Sequence, residues 1–141
     1  MRVLIIEQKQ GEYMRQLTLI YRQRLKTDSR MNKAFEYTFN AHEEHLNPSL
    51  DLFDCVEDID YINNQLSKGN QSAWFCAEVK ASWNGIEVSD YLGCCSYKSF
   101  DEFVNEKDGY IDDMISSVTD ELEKRIKNII NEASKLDLKG E

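Results

Sequence analysis

Proline is nearly absent from this chain: Pro48 stands alone among 141 residues, and the six glycines are scattered. Phosphate-cradling loops and dinucleotide fingerprints need glycines at fixed offsets, so neither is expected. Histidine is scarcer than glycine. His42 and His45 are the only two, both in one polar segment, which leaves a hydrolytic serine or cysteine triad without a separately placed base. Apolar runs are a few residues long, against the ~20 that a membrane span requires. The start, Met-Arg-Val-Leu-Ile-Ile-Glu, has too short an apolar stretch for a signal peptide, and a cytoplasmic location is expected. The four cysteines, Cys55, Cys76, Cys94 and Cys95, include no C-x-x-C pair. Adjacent Cys94 and Cys95 point to opposite faces of a strand, so a shared tetrahedral metal site is not expected and buried free thiols are.

Positive charge is also in short supply, with 17 Lys and Arg against 26 Asp and Glu, a net charge of −9. The deficit is uneven. Residues 1–33 carry eight basic side chains against three acids, and the remainder carries nine against 23. So acidic a body repels phosphate backbones and attracts basic surfaces, including those that handle nucleic acid.

What is present suffices for one packed domain over residues 1–141, with 41% hydrophobic and 11% aromatic residues. The strongest local signal is Asn84-Gly85 between two alternating runs, because a type I′ hairpin turn needs positive φ at both positions. Phe75, Ala77, Val79, Ala81 and Trp83 share one face of the first strand, matched by Ile86, Val88 and Leu92 on the return. Gly93 then allows a bend or bulge. Trp83 is expected to pack in the core or hairpin; Trp74 lies on the other face, so one of the two tryptophans is expected to be exposed or in an interface.

Upstream, Val3 to Ile6 suggests a short strand, and Tyr13, Met14, Leu17, Ile20, Tyr21 and Leu25 follow helical spacing after Gly11. Phe35, Tyr37 and Phe39 alternate with Glu36, Thr38 and Asn40 as in a half-buried strand, with a helix from near Met31 as the competitor. Asn47-Pro48 marks a boundary. From Asp51 onward Leu52, Cys55, Val56, Ile59, Ile62 and Leu66 suggest a helix that Gly69 caps. Ser99 and Glu102 have capping-box spacing for a short helix. After Asp108-Gly109 a long helix is expected from about Tyr110 to Leu136, near 40 Å at 1.5 Å per residue. That length outreaches a small domain, so one end is expected to meet a partner or a second copy. The fold class is therefore α+β, an antiparallel sheet centred on the 73–92 hairpin and packed by helices.

His42-Glu43-Glu44-His45 is the nearest approach to a metal motif, but its histidines are three apart rather than four and no third ligand is nearby in sequence. Asp108-Gly109 lacks the ligand order of a calcium loop. Neither a metal nor a cofactor is expected, and nothing selects an acid–base pair among the 26 acids. Two acidic clusters remain, Asp51 to Asp60 and Asp101 to Asp113. Either they are solvated helix starts favoured by the macrodipole, or they form a carboxylate array for an Arg/Lys-rich groove. In the second case Asp54, Glu57, Asp58, Asp101, Glu106, Asp112 and Asp113 are the contact candidates. The basic face of the expected first helix, Arg15, Arg22, Arg24 and Lys26, is either a counterpart to the acidic body or, with Tyr21, an alternative site for an anionic nucleotide.

Asp90-Tyr91-Leu92-Gly93-Cys94-Cys95-Ser96-Tyr97, Ser99 to Phe103 and Gly109-Tyr110-Ile111-Asp112-Asp113-Met114 together resemble small proteins of phages and mobile elements. The resemblance spans about residues 74–114 and brings no catalytic residue with it. It implies an inhibitor of host defence of the anti-restriction or anti-CRISPR kind. The expectation is thus a non-enzymatic acidic protein that blocks a basic surface of a host protein, binds no nucleic acid directly, and dimerises through its last helix.

Overall fold

Strands form here where aromatic and small apolar side chains alternate with polar ones. A computed structural model of the protein describes residues 17–136. Its strands are β1 (Leu19–Arg24), β2 (Glu36–Glu43), β3 (Phe75–Trp83) and β4 (Ile86–Cys95); its helices are α1 (Val56–Ser67), α2 (Phe100–Val104) and α3 (Tyr110–Ser134). The four strands make one antiparallel sheet in sequence order. The fold is α+β.

The hairpin turns as its dipeptide requires. Asn84 and Gly85 take φ of 47° and 80°, and pairing starts at Trp83↔Ile86 and continues to Ala77↔Leu92. Because side chains alternate along a strand, one sheet face collects Tyr37 and Phe39 from β2, Phe75, Ala77, Val79 and Ala81 from β3, and Val88 and Leu92 from β4. Phe103 of α2 and Ile111, Ile115, Val118 and Leu122 of α3 close over them as the main core. Phe39 sits at the centre, its ring within 5.3 to 6.3 Å of the rings of Tyr21, Phe75, Phe100 and Phe103.

A second, smaller cluster joins Ile62 of α1 to Phe53, Trp74 and Cys94. Trp74 and Cys94 are the immediate neighbours of Phe75 and Cys95, a cross-strand pair in the main core. The smaller cluster therefore lies across the sheet from the larger one. Trp74 is buried there, its indole Nε1 donating to the Leu46 carbonyl at 2.7 Å. Trp83, expected to be the packed tryptophan, is only partly buried against the main core.

Several expectations are corrected. The expected first helix is strand β1 over Leu19–Arg24, and its earlier part, with the Val3 to Ile6 strand and Arg15, lies outside the described residues. The register shifts between Leu19 and Tyr21, and both Ile20 and Tyr21 pack against the core. Two consecutive buried side chains are what a bulge produces, and they imitate helical spacing. Helix α1 begins at Val56, not Asp51, so Asp51 and Asp54 lie before it. It ends as expected: Gly69 has φ of 88°, its N–H donates to Leu66 and that of Asn70 to Gln65, both at 3.0 Å, the paired bonds of a Schellman motif. The bulge near Gly93 exists, but Cys94 rather than the glycine takes the left-handed conformation, with φ of 57°.

Helix α2 starts with its capping hydroxyl in place, Ser99 Oγ accepting from the Glu102 N–H at 3.1 Å. The 28–34 loop is tied to α3 by polar contacts. Tyr37 Oη accepts from the Asn32 N–H at 3.0 Å and lies 2.7 Å from Thr119 Oγ1, and Asn32 Nδ2 donates to Glu123 at 2.9 Å.

Phe39→Ala is expected to destabilise the fold by about 3–5 kcal/mol, read as a lower urea midpoint with an unchanged slope, and Phe39→Leu by clearly less. Equal losses for the two would show that ring packing is not what the site needs.

Candidate functional site

The sheet face opposite α3 carries one buried charge. Glu78 lies mid-β3, is 3% exposed, and pairs across to Asn40 of β2 and Tyr91 of β4. Its Oε1 accepts from Asn40 Nδ2 at 3.1 Å and His42 Nε2 at 2.7 Å. Its Oε2 accepts from Ser89 Oγ at 2.5 Å and Tyr91 Oη at 3.2 Å. Asn40 is held in turn by Arg22 of β1, whose Nε donates to Oδ1 at 3.1 Å. All four strands thus contribute to one polar network.

Burial pushes the Glu78 carboxyl up, but the bonds from His42, Ser89 and Asn40 and the Lys80 charge outweigh it, leaving its pKa at about 2. An ionised carboxylate only accepts, so His42 Nε2 carries the proton it donates. The other ring nitrogen, Nδ1, is buried with no partner among the described residues. Burial and the Glu78 charge together raise the Tyr91 phenol well above its usual range. The chemical capacity of this cluster is small. A carboxylate that accepts four hydrogen bonds is a poor base, and Ser89 points its hydroxyl at Glu78 rather than at His42, unlike the nucleophile–base contact of a triad.

The His-Glu-Glu-His segment is divided among structural tasks. His42 serves Glu78, while Glu44 accepts from the Cys94 N–H at 2.6 Å and the Leu46 N–H at 3.1 Å, holding the loop after β2 against the bulge. Among the described residues no three His, Cys, Asp or Glu side chains are grouped to hold a metal. Cys76, Cys94 and Cys95 are buried, and none of the four cysteines forms a disulfide. Burial and nearby Glu44 push the Cys94 thiol up to about 12.

The acidic candidates divide between two places. Asp54, Glu57 and Asp58 surround the start of α1, which packs into the smaller cluster. Asp101 is in the first turn of α2, Asp112 and Asp113 in that of α3, with Glu106 between. Two of the seven are engaged internally. Asp112 pairs with Arg30, whose guanidinium also grips Asp28 through Nε and Nη2, and Glu106 accepts from Tyr97 Oη at 3.2 Å. Among the described residues, no Lys, Arg or His lies within ion-pair distance of the other five.

The alternative basic site is not brought together. Arg22 and Arg24 share one face of β1, where Arg24 pairs with Glu36 at 3.0 Å. Tyr21 lies on the other, stacked on Phe100 at 4.5 Å. Sequence reasoning gave no role to Glu78, Asn40, Ser89 or Tyr91, and weighed His42 only as a metal ligand. The hairpin turn alone fixes the Glu78↔Tyr91 pairing, so part of that network had a usable signal.

The low value for Glu78 gives a signed pH dependence. Its contribution to stability is fully present above the unfolded carboxyl value of 4.5 and is lost as pH falls through that value toward 2. It amounts to about 3 kcal/mol. Glu78→Gln should therefore be less stable than wild type near pH 7 and should lose less further stability between about pH 5 and pH 2. Urea unfolding across that range is the check, and parallel curves for the two proteins would exclude Glu78 as the titrating group.

No protein family, curated protein or solved structure matches this chain.

Proposed function

We propose that the protein is a non-enzymatic acidic binding protein that occupies a basic, nucleic-acid-binding surface of another protein. The observation that carries this is the unneutralised state of Asp54, Glu57, Asp58, Asp101 and Asp113, which have no ion-pair partner among the described residues. A carboxylate without an internal cation keeps its field available to a partner, where it speeds encounter and selects orientation. The net charge of −9 acts in the same direction. The buried Glu78 has its acceptor capacity committed and adds no general base, consistent with binding rather than turnover. The resemblance to small phage and mobile-element proteins makes a host defence protein the partner class and a phage-encoded inhibitor the biological role. Its place of action would then be the host cytoplasm. Among the described residues, no helix is long and apolar enough to cross a membrane.

The test is capture on the immobilised full chain from host lysate at low salt, followed by binding measurements with the partner recovered. Raising salt from about 50 to 500 mM should weaken binding by at least about tenfold. Asp101→Asn with Asp113→Asn should weaken it mainly through slower association, and the partner's own nucleic acid should compete. Salt-insensitive binding, or binding untouched both by that pair of substitutions and by Asp54→Asn with Asp58→Asn, would refute the proposal.

A further inference from the structure

Helix α3 is longer than the body it packs on. Ile115, Val118 and Leu122 are fully buried under the sheet, Ile126 only partly, and beyond it the helix is exposed. The apolar stripe does not stop: it continues through Ile126, Ile129 and Ala133 to Leu136. Ile129 is 50% exposed and Leu136 63%, and Ile130 beside them is 61% exposed. From Glu123 to Ser134 the helix extends about 18 Å past its last buried residue, at 1.5 Å per residue. Water-facing isoleucines continuous with a core stripe are the pattern of a helix face that is covered in use.

The charges flanking the stripe identify the cover. Arg125 and Glu132 are seven residues apart, so they lie on the same flank of the helix, two turns from each other. When two copies of α3 run antiparallel and cross at Ile129, each Arg125 comes opposite the second copy's Glu132. A parallel pair would put the two copies' Arg125 side chains on opposite sides of the seam, each beside the other's Ile130 rather than its Glu132. The present in-chain partners do not prevent the exchange, because Arg125–Glu121 and Glu132–Lys135 are weak surface pairs and the bond from Arg125 Nη1 to the Glu87 carbonyl is long, at 3.4 Å.

The lengths agree with the same crossing. Where α3 leaves the body, Phe35, Trp83 and Ile126 line an open apolar hollow of about 400 Å³. Crossing at Ile129 brings the second copy's Leu136 beside Leu122, next to that hollow, and the symmetric contact repeats at the other end. We infer that the protein forms a two-fold homodimer through antiparallel pairing of the last three turns of α3, with Ile129 at the axis and Leu136 of each copy seated near Trp83 of the other.

Sedimentation of the full chain between about 1 and 100 μM should show a reversible monomer–dimer equilibrium, the range set by so small a contact. Ile129→Asp with Ile130→Asp should be monomeric at every concentration. Both positions are exposed, so its circular dichroism and the melting of the monomer should be retained. Arg125→Glu should weaken dimerisation about tenfold, and adding Glu132→Arg should restore it, since the exchanged pair is again complementary. With Cys55 replaced by serine, Ile129→Cys should crosslink between copies and Leu136→Cys should not. A chain monomeric throughout the range overturns the inference without touching the proposed function. Crosslinking at Leu136, or failure of the charge exchange to restore association, overturns the antiparallel arrangement.

Discussion

A single buried carboxylate holds three strands in register. Glu78 of β3 takes two donors from β2, Asn40 and His42, and two from β4, Ser89 and Tyr91. Side chains alternate across a sheet, so a one-residue slip in either ladder would turn a donor pair to the opposite face. The carboxylate would then be buried with half its acceptors empty, at a cost of several kcal/mol. An apolar residue at position 78 would allow the slip at smaller cost. The network favours the native β2–β3 register, which no turn sets, and reinforces the β3–β4 register that the hairpin turn fixes. Arg22 extends the same control to β1 through Asn40.

The two faces of the sheet solve different problems. Behind Glu78, α2 and α3 cover a ring-rich core in which Phe39 and Phe75 contact most of the other aromatic rings. On the Glu78 side, α1 and the segment around Phe53 cover only the end marked by Trp74 and Cys94. The bulge at Cys94 is the joint between them. It places Cys94 in one cluster and Cys95 in the other, and Glu44 secures it by accepting the Cys94 N–H. The segment that looked like a broken metal motif is therefore a hinge pin. His42 is polar because it bonds to Glu78, and Glu44 because it accepts from the backbone of Cys94 and Leu46.

The parts of the fold legible from sequence were those set by neighbours in the chain. Asn84-Gly85 fixed the hairpin and its register, Phe35, Tyr37 and Phe39 showed β2, Ser99 and Glu102 showed the start of α2, and Gly69 the end of α1. The strand at 19–24 was not legible. It is an edge strand with a bulge, and the bulge turns Ile20 and Tyr21, both partly buried, toward the core together, which breaks the two-residue period. Glu78 was equally hidden. At a polar position of an alternating strand it looks solvated, and Asn40 and His42 are 38 and 36 residues away. Only β2–β3 pairing, which no turn in the sequence announces, makes it a buried site.

The charge layout follows from the same geometry. The described arginines of the first segment do not form a patch, because each is consumed where it stands: Arg22 by Asn40, Arg24 by Glu36, Arg30 by Asp28 and Asp112. Arg30 reaches furthest, clamping the loop before β2 to the first turn of α3. It thereby removes Asp112 from the acids that a partner can use. Among the described residues, the acids around the α1 start receive no such visitor, nor do Asp101 and Asp113. Internal neutralisation has thus been spent on fastening elements together, and the excess negative charge is left at helix starts. There the macrodipole already favours carboxylates, so they can face a partner without destabilising the fold that carries them.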